Sequence, residues 1–177
     1  MNTYVRQMTV AGTGFSSRLI EWRSDDWSHT ATVLPDGSIL DSRSDVVAAS
    51  RQGEYFPAGV QIRPRGYLDG EPKWVLIEIP CTSEQRERFH EIALSQVGKP
   101  YDFAGIWQFI TGGIKDRNWR DESAWYCTEL HVWALEQAGI CTPLATPVFK
   151  LDPGDGVLLA QALGGQIVAS HGLSGNI

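Results

Sequence analysis

Long apolar stretches and dense basic runs are both missing from this 177-residue sequence. No segment approaches the ~20 consecutive apolar residues that span a bilayer, and the first fifteen residues lack the basic start and apolar run of a secretory signal. Fifteen Lys and Arg stand against 21 Asp and Glu, which gives a net charge of −6. We therefore expect a cytoplasmic protein that has no membrane span and binds no nucleic acid.

Cysteine is also scarce, with only Cys81, Cys127 and Cys141 in the chain. Three cysteines cannot all pair with one another, and their spacing fits no zinc motif. At least one thiol is therefore free, and inside a cell all three are expected to be reduced. We predict no metal and no organic cofactor, and the question becomes whether one thiol has a chemical task.

The remaining composition is that of a compact globule. Apolar residues make up 42% of the chain, charged residues 20%, and there are seven Trp. No internal repeat or low-complexity segment divides the sequence. The length suits one core, so we predict a single domain over residues 1–177.

Several short segments have the residue pattern of antiparallel strands. TATVLPDGSIL predicts a hairpin around a turn at Pro35, Asp36 and Gly37. Residues 60–63, 74–80 and 166–169 predict further strands, because β-branched and aromatic residues are frequent in the first two. Residues 16–23 suggest one or two helical turns, 42–58 are polar and irregular, and 99–125 suggest a partly buried excursion.

Three segments predict helices, so the fold class is α+β. Thr82 and Gln85 form a capping-box pattern, and the helix that follows ends at Gly98. A second helix begins near Cys127 and ends before Gly139. Its predicted apolar stripe consists of Leu130, Trp133, Ala134 and Ala138. The third helix is predicted over residues 155–163.

Cys127 is the candidate nucleophile because it stands at the predicted start of a helix. Unpaired backbone N–H groups and the helix dipole favour an anion there, and a thiolate is such an anion. Cysteines in this position can have their pKa lowered from about 8.5 to ~3.5–7.5. The same N–H groups could hold the oxyanion of a tetrahedral intermediate. The alternative is that Cys127 packs in the core as a small apolar residue. We prefer that structural role for Cys81 and Cys141.

The predicted hairpin supplies partners for this thiol. His29 opens its first strand and Asp41 lies at the far end of the return strand, so the two side chains should meet. If Asp41 accepts a hydrogen bond from one ring nitrogen, the other nitrogen can face the thiol, as in a catalytic triad. Asp45 could take the place of Asp41. The other histidines, His90, His131 and His171, are assigned structural roles.

Three segments, SHTATVLPDGSILDS, GKPYDFAGI and AWYCTELHVWALEQAGI, together resemble the circularly permuted NlpC-like members of the papain-like cysteine hydrolases. This branch includes lecithin:retinol acyltransferase and the bacterial YiiX-like proteins, and in it the His strand precedes the Cys helix. The resemblance implies a central antiparallel sheet packed against a helix that carries the nucleophilic cysteine.

The resemblance also implies roles for individual residues. Cys127 matches the nucleophile, His29 the base, Asp41 the polar third residue and Tyr101 the tyrosine that lines the substrate cleft. We place Tyr126 in the substrate-binding set as well. Ser28 joins that set, as a hydrogen-bonding neighbour of the base.

The implied activity is that of a thiol hydrolase that needs no cofactor and cleaves an amide bond of a peptide, an isopeptide or a cell-wall fragment. The unpermuted cell-wall enzymes have Asp-Cys-Ser-Gly at the nucleophile, whereas this chain has YCTE. Two alternatives therefore stay open: a lipid ester or thioester hydrolase or acyltransferase, and a non-catalytic binding or phage-associated module. The oligomeric state is left open too.

Overall fold

The computed structural model describes residues 3–12, 26–44, 57–104, 123–145 and 151–173. Within these ranges the chain forms an α+β fold with one six-stranded sheet and three helices. The strands are β1 (Thr3–Ala11), β2 (His29–Val33), β3 (Ile39–Arg43), β4 (Gly59–Arg63), β5 (Lys73–Cys81) and β6 (Gln166–His171). The helices are α1 (Ser83–Leu94), α2 (Cys127–Gln137) and α3 (Pro153–Ala162).

The sheet is antiparallel throughout, with the strand order β4-β3-β2-β1-β5-β6. The predicted hairpin is present as β2 and β3, and the other predicted strands correspond to β4, β5 and β6. The antiparallel prediction is therefore confirmed.

One central strand was missing from the sequence-based prediction. β1 pairs with β2 on one side and with β5 on the other, so it lies inside the sheet. Its positions Gln7 and Thr9 are polar but buried, at 1% and 0% exposure. Because these polar residues interrupt the apolar alternation, the segment lacks the usual signal of a half-buried strand.

Helices α1 and α3 begin with capping boxes. At α1 the Thr82 hydroxyl accepts from the Gln85 backbone, while the Gln85 side chain accepts from the Thr82 backbone, which confirms the predicted capping box. Asp152 caps α3 in the same way, and Pro153 occupies its first turn. The predicted start of this helix was two residues too late. The α2 helix begins at Cys127, as predicted.

The α2 helix is buried on every side rather than along one stripe. All nine residues from Cys127 to Leu135 are buried, including the polar Thr128, Glu129 and His131. The helix packs against β2, β3 and α1 and contributes Leu130, Ala134 and Leu135 to the main core. The predicted apolar stripe was therefore too narrow, because α2 also has polar neighbours on the sheet.

Some predictions fall outside the described residues: the helical turns at 16–23, most of the irregular segment 42–58 including Asp45, and the middle of the excursion 99–125. No helix within the described ranges is long and apolar enough to cross a bilayer. The assignment of one domain and the cytoplasmic location remain predictions.

Candidate active site

The start of α2 places the Cys127 thiol against the first strand of the hairpin. Cys127 is 4% exposed, and the backbone of Thr30 on β2 hydrogen-bonds to its sulfur. The Thr128 hydroxyl lies 3.8 Å from Sγ. The candidate nucleophile therefore sits at the first turn of a helix, where the backbone dipoles favour a negative charge.

His29 and Asp41 are brought together by the β2–β3 hairpin. His29 Nε2 lies 2.8 Å from Asp41 Oδ2, and the two side chains are 10% and 0% exposed. The predicted contact between this carboxylate and the imidazole ring is thus present. Because Asp41 engages Nε2, Nδ1 is the ring nitrogen left for another partner.

His29 and Cys127 each shift the pKa of the other. Burial alone would lower the pKa of His29, but the Cys127 charge and the hydrogen bonds to Asp41 and Cys127 raise this pKa to about 9. Burial alone would raise the pKa of Cys127, but the His29 charge and hydrogen bonds from His29 and the Thr30 backbone lower it. The two groups therefore favour a thiolate–imidazolium pair.

A second partner holds Asp41 from the other side. Arg63 Nε donates to Asp41 Oδ1 over 2.6 Å, and neither side chain is exposed. Burial would raise the pKa of Asp41, but the hydrogen bond and charge of His29, followed by the charge of Arg63, lower it to about 2. No local pattern in the sequence distinguishes Arg63 from the other arginines. In the pairing of β3 with β4, Arg63 faces Ile39, and Gln61, two positions before Arg63, faces Asp41. Only this register reveals the contact.

Two tyrosines pack against the thiol. Tyr101 and Tyr126 form a small apolar cluster with Cys127, and both rings are buried. The Tyr126 hydroxyl donates to the Leu151 carbonyl over 2.8 Å. Phe103 contacts the edge of Tyr101, with ring centroids 5.0 Å apart, and is 58% exposed.

Ser28 has a structural contact that the sequence did not suggest. Its hydroxyl donates to the Val10 carbonyl and accepts from the Gly12 amide, which ties β2 to β1. The residue is 4% exposed. Its role in substrate binding, like those of Tyr101 and Tyr126, remains a prediction.

The other two thiols lie in environments that disfavour ionisation. Burial raises the pKa of Cys81, and burial together with the Glu136 charge raises that of Cys141 to about 11. His131, one turn along α2 from Cys127, bonds through Nδ1 to Thr32 Oγ1 at 2.8 Å, and burial lowers its pKa to about 3. Cys127 is the one cysteine of the three whose pKa is lowered.

Comparison with known proteins gives a fold neighbour and no family. No family model and no curated protein matches the chain. A crystal structure of the metalloprotein yiiX from Escherichia coli O157:H7, described as DUF1105, is similar with a TM-score of 0.55 and 17% sequence identity. The similarity covers 84% of this chain and 78% of that one. At this identity the likeness extends to the fold alone, and the fold is consistent with a YiiX-like arrangement.

The word metalloprotein applies to that neighbour. Among the described residues of this chain, no group of three or more His, Cys, Asp or Glu side chains is placed to hold a metal ion. Both oxygens of Asp41 are already engaged by His29 and Arg63. The described residues around Asp41 therefore do not fit a metal site.

Proposed function

We propose that this protein is a thiol hydrolase of the permuted papain-like type, with Cys127 as nucleophile, His29 as general base and acid, and Asp41 as the residue that orients His29. The observation that carries the proposal is the hydrogen bond from the imidazole of His29 to the buried Asp41 carboxylate, with the helix-start thiol of Cys127 close enough for its charge to act on the same imidazole. Chain order supports the permuted type, because the His strand β2 precedes the Cys helix α2.

The geometry supports acyl transfer through a covalent intermediate. The Cys127 thiolate attacks a carbonyl carbon, a C–S bond forms, and the carbonyl oxygen becomes an oxyanion near the first turn of α2. When this intermediate collapses, the bond to the leaving group breaks and the His29 imidazolium protonates the leaving amine. Water then adds to the thioester and gives a proton to His29, the C–S bond breaks, and the acid is released with the thiolate regenerated.

The favoured substrate is a peptide or isopeptide amide, including a cell-wall peptide. The test is incubation of the purified protein with soluble peptidoglycan fragments and peptide amides, followed by measurement of newly formed amines. Release of amines by the wild type, together with its loss in Cys127→Ala, would support the proposal. Cys141→Ala is the matched control, because that thiol is also buried but its pKa is raised.

A lipid ester or thioester hydrolase, or an acyltransferase, is the second candidate. The specific observation in its favour is Phe103, a residue that is more than half exposed although its ring contacts Tyr101 beside the thiol. Exposed aromatic surface of this kind suits an apolar acyl chain. Release of fatty acid from acyl esters, with a rate that rises with chain length, would select this candidate over the amidase.

A non-catalytic binding or phage-associated module is the remaining alternative. It predicts that Cys127 is inert toward both substrate classes and toward thiol-directed acyl probes. Probe labelling that is lost in both Cys127→Ala and His29→Ala would contradict it. A buried structural thiol is inert, whereas a thiol activated by an imidazole is reactive.

A further inference from the structure

Arg63 and Asp41 lie on neighbouring strands and on one face of the sheet. β3 and β4 pair so that Asp41 faces Gln61 and Ile39 faces Arg63. Side chains two positions apart on a strand point to the same face. A diagonal pair of this type is separated by about 7–8 Å at the backbone, which a long arginine side chain can bridge.

The contact between them is a fully buried ion pair. Arg63 Nε lies 2.6 Å from Asp41 Oδ1, and both side chains have 0% exposure. The carbon at the centre of the guanidinium lies 5.1 Å from the centroid of the buried Tyr67 ring, which fixes the arginine from another direction. Removing one member of a buried ion pair is costly because the remaining charge loses a close partner, so each residue helps to hold the other in place.

The two oxygens of Asp41 serve different partners. Oδ1 receives Arg63, and Oδ2 faces His29 Nε2 at 2.8 Å. A guanidinium is planar and rigid, so its hydrogen bond restricts the orientation of a carboxylate more than a lysine ammonium would. With Oδ1 held, rotation of the carboxylate away from His29 is opposed.

We propose that Arg63 is a positioning residue for the candidate active site: it keeps the Asp41 carboxylate charged and turned toward His29, so that the imidazole presents its other nitrogen to Cys127. The catalytic consequence rests on the proposed function, whereas the positioning of His29 does not.

The charges around Asp41 define the expected pH behaviour. His29 faces it from β2, Arg43 acts on it from β3 and Arg63 from β4, and Cys127 acts on His29 from α2. Loss of the Arg63 charge removes one cation that favours the carboxylate. Asp41 then accepts a proton at higher pH than in the wild type, and His29 loses its charged acceptor over that range.

The test compares Arg63→Met and Arg63→Lys with the wild type. Arg43→Met is the matched control, because Arg43 also lies over the Tyr67 ring, at 5.9 Å. Proton NMR follows the His29 Nε2–H signal against pH, and iodoacetamide labelling gives the rate at Cys127. In Arg63→Met we expect the signal to weaken at higher pH than in the wild type and the labelling rate at pH about 6 to fall about tenfold.

Arg63→Lys keeps a cation but lacks the planar donor, so both readouts should be intermediate. The control Arg43→Met should change the readouts less than Arg63→Met. If Arg63→Met does not fold, the comparison of folded Arg63→Lys with the wild type decides whether Arg63 has the positioning role. Wild-type behaviour of folded Arg63→Lys in both readouts would overturn the positioning role, as would unchanged readouts in folded Arg63→Met.

The NMR readout also separates this inference from the proposed function. A protein without hydrolase activity whose His29 signal responds to Arg63 would refute the function and leave the positioning intact. An active protein whose His29 signal is the same in the wild type and in the Arg63 variants would support the proposed function and refute the positioning role.

Discussion

Asp41 Oδ2 lies 2.8 Å from His29 Nε2, although the residues are twelve positions apart in the chain. The β2–β3 hairpin brings them together, and the fully buried carboxylate leaves only Nδ1 of the imidazole for the thiol. In the proposed triad this contact would let Asp41 orient His29, and His29 would stabilise the Cys127 thiolate.

Thiol labelling should rank the three cysteines in a fixed order. The pKa of Cys127 is lowered by His29, whereas the pKa values of Cys81 and Cys141 are raised by burial. At pH about 6, where an ordinary thiol is almost wholly protonated, iodoacetamide should label Cys127 far faster than the other two. Peptide mass spectrometry of the folded protein measures the ranking, and equal labelling of all three would contradict it.

His29→Ala should slow labelling of Cys127 without abolishing it. The substitution removes the imidazolium that stabilises the thiolate but leaves the contribution of the helix start. His90→Ala is a suitable control, since this histidine lies on α1 and is not among the groups that shift the Cys127 pKa. An unchanged labelling rate in His29→Ala would mean that the thiol does not depend on the imidazole.

Cys127→Ala should preserve the fold and lower the pKa of His29. Alanine is a good helix former and the change removes a single sulfur atom, so we expect the free energy of unfolding to change by about 1 kcal/mol or less. The pKa of His29, about 9 in the wild type, should fall because the neighbouring thiolate is gone. NMR titration of the imidazole measures this shift. A large loss of stability would instead favour a core-packing role for Cys127.

Asp41→Asn should destabilise the protein in a pH-dependent way. The pKa of Asp41 is lowered from 3.8 to about 2 in the folded protein. A lowered pKa contributes stability that is fully present above 3.8 and is lost as the pH falls through about 2. This contribution corresponds to about 2 kcal/mol, and loss of the buried Arg63–Asp41 ion pair adds a further cost at neutral pH.

Chemical denaturation of the wild type and Asp41→Asn at several pH values measures this difference. The gap in unfolding free energy should shrink as the pH falls from about 4 toward 2. Asp69→Asn is the control, because Asp69 is exposed. A gap that stays constant with pH would show that the charge of Asp41 is not what stabilises the fold.

Gly59→Ala should disturb the segment that carries Tyr101. Gly59 has φ +113°, and a Cβ there would collide with the Lys99 carbonyl next to Pro100. Gly98 has φ +90° but open space around its Cβ position, so Gly98→Ala carries the backbone strain without the collision. We expect Gly59→Ala to lose more stability than Gly98→Ala, with backbone strain alone costing about 1–3 kcal/mol in each. Thermal unfolding compares the two, and equal losses would contradict the steric explanation.

The amino-acid sequence by itself determined where several helices and strands begin and that the hairpin brings His29 and Asp41 together. The capping box at Thr82, the start of α2 at Cys127 and the hairpin that unites His29 with Asp41 all follow from interactions over a few to a dozen residues. Such signals can be read directly, because caps, turns and alternation depend on near neighbours.

Only the tertiary structure decided which strands become neighbours and that Arg63 contacts Asp41 in the candidate site. β1 is central because β5 pairs with it from a distant part of the chain, and its buried Gln7 and Thr9 hid that position in the sequence. Arg63 reaches Asp41 through the register between β3 and β4. An arginine is usually solvent-exposed, so its burial depends on a partner that no local pattern reveals.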